Sequence, residues 1–301
     1  MEAEETAQQS KIVGSVNGNE KETSVEFEDI SFKEESDGKK IRANFLQNYY
    51  WYFTKEELEE IAPFKIKEGK IIFFEREKRV FNKFNQLLGE GFSRLKHIIG
   101  DKECLYVHRN SSIPLIGSNE FGVVDRGSNI IEIKPLTGCN LSCTFCSVSE
   151  GKDNGKRDII VEEEYLIEEF SKLAKLKKHP VEANIGPQGE PMLYPQFVKL
   201  VADLKKNGAS VVSVNTNGTF LNKKIIDELV IAGLDRINLS LHTLNQKKSN
   251  EIMGGMQNGK QILEIIDYCE GKIDILLAPV LISGNNDEDL DDIIILSKKI
   301  A

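Results

Sequence analysis

From residue 129 onward the sequence alternates between short apolar segments and amphipathic segments, and this alternation restricts the fold more than any other feature. The apolar segments predict five strands, at NIIEIKP (129–135), VEANIG (181–186), SVVSVNTNG (210–218), RINLSLH (236–242) and KIDILLAPVLIS (272–283). Each strand is followed by a segment with helical periodicity, at 161–178, 195–208, 222–233, 259–269 and 287–300. Five such units predict an α/β fold with a parallel sheet, whose strands we expect to be covered on both faces.

The residues before this core divide into two parts. Residues 1–40 hold 11 acidic and five basic residues and few large apolar ones, which predicts a disordered acidic tail. Within it, SVEFEDISF (24–32) alternates as an edge strand would. Residues 41–124 predict a small α+β region, and residues 125–301 form the core. An amphipathic helix is expected over 80–99, interrupted at Gly89 and Gly91.

The aromatic segment NYYWYF (48–53) allows two interpretations. It could be a platform on which nucleic-acid bases stack, or the core of a small region that has little other apolar mass. The second interpretation is favoured.

Charge and hydropathy exclude several classes of protein. The net charge is −9, and the first 40 residues account for −6 of it, so the core shows no strongly basic surface for nucleic acid. There is no apolar run long enough to span a membrane, and the N-terminal MEAEETAQQS has no apolar core of a secretory signal. We therefore expect a cytoplasmic protein with reduced thiols and no membrane partner.

Polar and small residues follow each predicted strand. The segments are GCNLSCTFC (138–146), GPQGEPMLYP (186–195), NTNGT (215–219), NLSLH (238–242) and LISGNND (281–287). The C-terminal ends of parallel strands meet at one edge of the sheet, which is where such folds place their chemistry. The five segments together predict a ligand site there.

Cys139, Cys143 and Cys146 are spaced C-x3-C-x2-C without a fourth cysteine nearby. Cys104 precedes the core and Cys269 lies in a late helix. A closed zinc site requires four ligands, whereas a [4Fe–4S] cluster held by three cysteines leaves one iron open for catalysis. The spacing therefore favours the iron–sulfur cluster over zinc.

These segments carry a resemblance to a known family. CNLSCTFC resembles the C-x3-C-x-aromatic-C signature of the radical SAM superfamily, with Phe145 as the aromatic residue. QGEP (188–191) resembles its GGEP motif with Gln188 in the first position, and TNG (216–218), LSLH (239–242) and LISGNND are similar to its later strand motifs. The resemblance covers roughly residues 129–301 and implies a partial (β/α) barrel. YVHRNSSIPLIG (106–117) is more weakly similar to the segment that precedes the core in uncharacterised archaeal members.

The resemblance implies a function and its cofactors. Cys139, Cys143 and Cys146 would hold a [4Fe–4S] cluster whose open iron binds S-adenosylmethionine (SAM). An electron, from a donor such as a ferredoxin or flavodoxin, would cleave SAM and give a 5′-deoxyadenosyl radical that abstracts hydrogen from a substrate. The residues implied to contact SAM are Gln188, Gly189, Glu190, Thr216 and Ser240.

Several alternatives stay open. The substrate is RNA, a cofactor precursor or a peptide, and the sequence identifies no catalytic residue; His242 is either an acid–base group or a capping or surface histidine. Cores of this family typically have six β–α units, and this sequence ends in the fifth helix, so we expect a truncated chain or a partner that covers the open edge. The alternative function is a non-catalytic scaffold that binds an iron–sulfur cluster or zinc.

Overall fold

The computed structural model describes residues 12–13, 22–148, 155–255 and 257–300. The chain divides into two compact units, Met1–Leu105 and Tyr106–Ala301. This boundary lies earlier than residue 125, where the sequence predicts the core to begin. The difference arises because the strand Gly122–Asp125 pairs with the first core strand and so belongs to the second unit.

In its described residues, the first unit has two antiparallel sheets and two helices. Its strands are β1 (Ile12–Val13), β2 (Thr23–Val25), β3 (Ile30–Glu34), β4 (Lys40–Phe45), β5 (Tyr49–Thr54), β6 (Phe64–Lys67), β7 (Lys70–Phe73) and β8 (Lys96–His97), and its helices are α1 (Lys55–Glu59) and α2 (Glu77–Ser93). The strand orders are β1-β2-β7-β6 and β3-β4-β5-β8. β9 (Cys104–Val107) spans the boundary between the units.

Part of the segment predicted to be a disordered tail is folded. β2 and β3 lie within residues 1–40, and Val25 and Phe32 on these strands are buried. Alternation of apolar and polar residues gives each strand one face that can be buried, and this pattern outweighs the acidic composition. Residues 1–11 and 14–21 lie outside the described residues.

The aromatic segment at 48–53 forms core rather than an exposed platform. Tyr49, Trp51 and Phe53 on β5 are all buried. Phe84 of α2 is also buried, and its ring centroid lies 6.0 Å from that of Phe53. These contacts agree with the interpretation that the aromatic residues supply the apolar mass of a small unit.

Helix α2 runs unbroken, so the interruption predicted at Gly89 and Gly91 does not occur. A Cβ at Gly91 would lie 2.3 Å from Nε1 of Trp51. A Cβ at Gly89 would meet nothing within 4 Å. The glycine at 91 is therefore required by the close approach of an indole ring, whereas the glycine at 89 has no such neighbour.

This contrast predicts opposite effects for two alanine substitutions in one helix. We expect Gly91→Ala to lower the free energy of unfolding by about 1–3 kcal/mol because the methyl group overlaps the Trp51 ring. We expect Gly89→Ala to raise it by up to about 1 kcal/mol because alanine has the higher helix propensity. Urea denaturation of both variants beside the wild type measures these differences, and equal effects would contradict the packing explanation.

The second unit is built around one sheet with helices. Its strands are β10 (Gly122–Asp125), β11 (Ile130–Lys134), β12 (Asp158–Val161), β13 (Val181–Ile185), β14 (Ala209–Thr216), β15 (Arg236–Leu239) and β16 (Asp274–Leu277). Its helices are α3 (Glu163–Leu176), α4 (Phe197–Lys206), α5 (Lys223–Ala232), α6 (Gln246–Met253), α7 (Gly259–Cys269) and α8 (Asp289–Ile300), with short 3-10 turns at Arg109–Ser111 and Pro191–Leu193. None of the helices in the described ranges is long and apolar enough to cross a membrane.

The main sheet has the strand order β10-β11-β13-β14-β15-β16. β10 is antiparallel to β11, and the five strands from β11 to β16 in that order are parallel. Each of these five precedes a helix of the predicted series. The α/β fold with a partial barrel is therefore confirmed.

The two faces of this sheet differ in chemistry. One row of paired residues, Ile133, Ile185, Val214 and Ile237, is fully buried. The row next to it faces the other side and consists of Glu132, Asn184, Ser213 and Arg236. This second row is polar across four neighbouring strands, although Ser213 within it is fully buried.

Candidate active site

The three cysteines lie in the loop that follows β11. Cys139, Cys143 and Cys146 are free, partly buried thiols. Cys139 and Cys143 pack against a small apolar cluster that includes Leu141 and Ile252. The loop therefore has an apolar support of its own, although it forms neither helix nor strand.

Backbone hydrogen bonds hold the cysteine loop against the end of α6. The N–H of Ser142 donates to the carbonyl of Met253 at 3.1 Å, and the N–H of Thr144 donates to that of Ile252 at 2.9 Å. Both donors lie between the first and last cysteine of the motif. The helix end thus fixes the path of the loop between its cysteines.

Burial makes two of these thiols weaker acids. It raises the pKa of Cys139 to about 12 and that of Cys143 to about 11, and the nearby carboxylate of Glu190 acts in the same direction. Both are protonated at neutral pH, so binding to a metal would release their protons. Among the described residues, no group of three or more His, Cys, Asp or Glu side chains is arranged to hold a single metal ion.

The loop after β13 lies directly on the start of the cysteine loop. Gly189 has φ +62°, and a Cβ there would lie 2.4 Å from the carbonyl oxygen of Gly138. The N–H of Glu190 donates to that same carbonyl at 2.8 Å. Gln188 beside them is buried. Glycine at 189 is therefore required both by its backbone conformation and by the approach of the cysteine loop.

The carboxylate of Glu190 is buried, with 2% of the residue exposed, and it accepts hydrogen bonds from three donors. Oε1 accepts from the N–H of Met192 at 3.0 Å and from Oγ1 of Thr216 at 2.7 Å. Oε2 accepts from the N–H of Asn217 at 2.8 Å. Burial raises the pKa of Glu190, and these donors oppose that effect. The carboxylate thus joins the loop after β13 to the end of β14.

Two asparagines join the end of β14 to the cysteine loop. Nδ2 of Asn217 donates to Oδ1 of Asn140 at 2.9 Å, and Nδ2 of Asn140 donates to Oγ1 of Thr219 at 3.0 Å. Oδ1 of Asn217 also accepts from the N–H of Thr219 at 2.9 Å. Because Asn140 directly follows Cys139, these bonds fix the backbone beside the first cysteine.

Gln257 connects the ends of β14 and β15. It is 1% exposed, and its Nε2 donates to the carbonyls of Asn217 at 2.7 Å and Ser240 at 2.9 Å. Its Oε1 accepts from Oγ of Ser249 at 3.2 Å. The N–H of Ser240 donates to the carbonyl of Thr216 at 2.9 Å. The hydroxyl of Ser240 has no hydrogen-bond partner within the part of the chain that the structure describes.

His242 has the contacts of a structural residue. It is buried, its Nδ1 accepts from the N–H of Val280 at 3.0 Å, and its ring lies edge-on to Phe145 with centroids 4.7 Å apart. Asn286 donates to its carbonyl at 2.9 Å. Burial lowers the pKa of His242 to about 4, so the ring is neutral and carries its proton on Nε2.

The structure thus brings the loops that hold Gly189, Glu190 and Thr216 to the cysteine loop, as the strand-end argument predicts. Sequence reasoning missed Asn140 and Gln257. Asn140 stands inside the cysteine motif and so carried a signal, whereas Gln257 lies in an irregular segment without periodicity.

The bonds of Glu190 predict a loss of stability in Glu190→Gln. Whichever way the new amide turns, its NH2 group faces a backbone N–H, and we expect the free energy of unfolding to fall by about 1–3 kcal/mol. Urea denaturation followed by circular dichroism measures this. Glu264→Gln is the matched control, since that side chain is 62% exposed and 4.0 Å from Lys260. A Glu190→Gln variant as stable as the control would show that the three bonds do not hold the loops.

The buried His242 predicts a loss of stability in acid. Its pKa is lowered from 6.5 to about 4 in the folded state, so between these values the unfolded chain binds more protons and stability falls as the pH falls. In His242→Gln we expect the loss of unfolding free energy from about pH 7 to about pH 4.5 to shrink by about 1–3 kcal/mol. Denaturant titrations at the two pH values measure it. His179→Gln, at an exposed position, should lose as much unfolding free energy between the two pH values as the wild type does. The same loss in all three proteins would contradict the role assigned to His242.

Comparisons with known proteins identify the family to which this chain belongs. The model of the Radical SAM superfamily matches residues 133–296, which is more than half of the chain. Uncharacterized protein MJ0103 of Methanocaldococcus jannaschii is 44% identical over 210 residues, covering 67% of this chain and 48% of that protein. GTP 3′,8-cyclase of Limosilactobacillus fermentum is 34% identical over 177 residues, covering 58% of this chain and 52% of that protein. The chain therefore spans about half the length of the curated relatives it matches.

Among solved structures, native anSMEcpe with bound AdoMet has a TM-score of 0.45 and 17% identity, covering 55% of this chain and 49% of that chain. TYW1 with a lysine-pyruvate adduct bound has a TM-score of 0.43 and 22% identity, covering 56% of this chain and 61% of that chain. From the family match over residues 133–296, the chain belongs to the radical SAM superfamily.

Proposed function

We propose that this chain cleaves SAM reductively and uses the resulting 5′-deoxyadenosyl radical to abstract hydrogen from a substrate. The observation that carries this proposal is the set of direct hydrogen bonds from Glu190, Asn217 and Gln257 that join the cysteine loop to the loops after β13, β14 and β15. These hydrogen bonds hold several loops in a fixed arrangement at one edge of the sheet. Positioning of a cofactor and a substrate requires such an arrangement.

Cys139, Cys143 and Cys146 would hold the cluster. The donor set fits, because three thiolates are the ligands that an iron–sulfur cluster prefers, and each binds a different iron. When bound, the cluster supplies the electron that breaks the C–S bond of SAM.

We also propose that Gln188, Gly189, Glu190, Thr216 and Ser240 form the SAM site. Glu190 and Thr216 bond to each other, so their main role is to position the two loops. The hydroxyl of Ser240, free of partners among the described residues, can contact the cofactor directly. Gln188 and Gly189 present backbone groups at the same edge.

The remaining features of the enzyme belong to this proposal as well. The electron donor would be a ferredoxin or flavodoxin, and the protein would be cytoplasmic. RNA, a cofactor precursor and a peptide are the candidate substrates. Among these, a nucleotide-like molecule is favoured by the relatives named GTP 3′,8-cyclase. This chain matches about half of the length of those relatives.

The test compares two cysteine variants after anaerobic reconstitution with iron and sulfide. We expect Cys143→Ala to lose the iron, the EPR signal that changes on addition of SAM, and the formation of 5′-deoxyadenosine with reductant. Cys269→Ala is the control, because that thiol is buried in α7 and distant in sequence from the motif. We expect it to keep all three properties.

Two results would contradict the proposal. A Cys143→Ala variant that keeps its cluster would show that the ligands are assigned wrongly. A wild-type chain that holds the cluster and binds SAM but forms no 5′-deoxyadenosine with reductant would be a scaffold rather than an enzyme of this type. Zinc in place of iron after anaerobic purification would also favour the scaffold.

A further inference from the structure

The polar face of the parallel sheet carries a closed ring of side-chain hydrogen bonds, which we call the amide ring. Its members are Glu182, Asn184, Ser213, Asn215, Arg236 and Asn238. They lie on β13, β14 and β15, and all except Ser213 are partly exposed. No single motif that indicates the cofactor site contains all six residues of the ring.

The first half of the ring runs from strand to strand through amides. Nδ2 of Asn238 donates to Oδ1 of Asn215 at 2.7 Å, and Nδ2 of Asn215 donates to Oδ1 of Asn184 at 3.1 Å. Nδ2 of Asn184 then donates to Oγ of Ser213 at 2.7 Å. Nδ2 of Asn184 also donates to Oδ1 of Asn215 at 3.5 Å, so every amide in this half acts as a donor to a neighbour.

An ion pair closes the ring. Oγ of Ser213 donates to Oε1 of Glu182 at 2.6 Å, Arg236 donates to the same oxygen, and Nε of Arg236 donates to Oδ1 of Asn238 at 3.0 Å. Arginine can only donate and a carboxylate can only accept, so these two residues determine which way every amide turns. The ring therefore presents its groups in a fixed orientation.

The ring leaves some of its hydrogen-bonding groups unused. Asn215 and Asn238 each have a second Nδ2 hydrogen that is not used in the ring. Oε2 of Glu182 has no hydrogen-bond partner among the described residues. The side chains of Arg236 and Glu182 are 31% and 14% exposed. Two amide donors, the remaining guanidinium hydrogens of Arg236 and one acceptor are thus available to a ligand on this face.

We propose that the amide ring binds the substrate through a lactam edge, that is, a ring carbonyl beside a ring N–H, as in guanine and uracil. The unused hydrogens of Asn215 and Asn238 would donate to the carbonyl, and Oε2 of Glu182 would accept from the ring N–H. The charge of Glu182 is already paired with Arg236, which favours an uncharged polar group over an anion.

The place of the ring supports a role in substrate binding, and this role rests on the proposed function. Asn238 stands two residues before Ser240, the spacing at which side chains of an extended chain lie on one face. The ring therefore lies one layer along the strands from the candidate SAM site. A base bound on this face would be held beside the edge where we place the radical chemistry.

The first test uses the reconstituted wild-type chain and pairs of ligands that differ by one methyl group. Calorimetric titration compares guanosine with 1-methylguanosine and uridine with 3-methyluridine. In at least one pair we expect the unmethylated nucleoside to bind about tenfold tighter or more, because the methyl group removes the N–H that Glu182 accepts. Absence of binding by both parent nucleosides, or equal affinity within each pair, would overturn the proposal.

The second test uses a variant and its matched control. We expect Glu182→Gln to weaken binding of the preferred nucleoside about tenfold, since its amide can offer a donor where an acceptor is needed. Glu228→Gln, at a side chain 43% exposed on α5, should bind as the wild type does. Equal weakening in both variants, or none in Glu182→Gln, would overturn the assignment. The ligand pairs decide the question even if Glu182→Gln fails to fold.

Two further measurements separate this inference from the proposed function and identify the source of the base. Selective binding of a lactam by a protein that forms no 5′-deoxyadenosine supports the inference and contradicts the proposed function. Formation of 5′-deoxyadenosine without lactam selectivity overturns the inference alone. A tetranucleotide RNA with one guanine or uracil, titrated beside the nucleoside, shows whether the base is taken free or within a strand; tighter binding of either one supports the lactam assignment.

Discussion

The buried carboxylate of Glu190 is the contact on which the candidate site depends. A carboxylate is costly to remove from water, and here three donors from the segment after it and from the end of β14 offset that cost. The N–H of the same residue binds the carbonyl of Gly138. One residue therefore connects two strand ends with the cysteine loop, and moving any of the three parts would break a buried hydrogen bond.

The location of the site could be predicted from the sequence, but its connections could not. Parallel strands place their C-terminal ends at one edge, so Cys139, Glu190 and Thr216 were expected to be near one another from the order of elements alone. Gln257 has no such signal. Its two acceptors, the carbonyls of Asn217 and Ser240, lie 40 and 17 residues away, and no local pattern relates them to it.

Composition alone describes neither the period of a segment nor its packing neighbours, and the fold departs from composition where these two decide. The first 40 residues are acidic, yet alternation buries Val25 and Phe32. The core strands are rich in apolar residues, yet Asn184 and Asn215 alternate with them and give the sheet a polar face. Gly91 has the low helix propensity of a helix breaker, but the close approach of Trp51 requires glycine at this position within α2.

The polar face has a consequence for the thermodynamics of any molecule that binds there. Its amides and ion pair are hydrated when no ligand is present, so binding exchanges one set of hydrogen bonds for another and removes little apolar surface from water. A change in heat capacity arises mainly from burial of apolar surface. Association with this face would therefore be driven by enthalpy, would have a small heat capacity change, and would select its ligands by the pattern of their donors and acceptors rather than by their size.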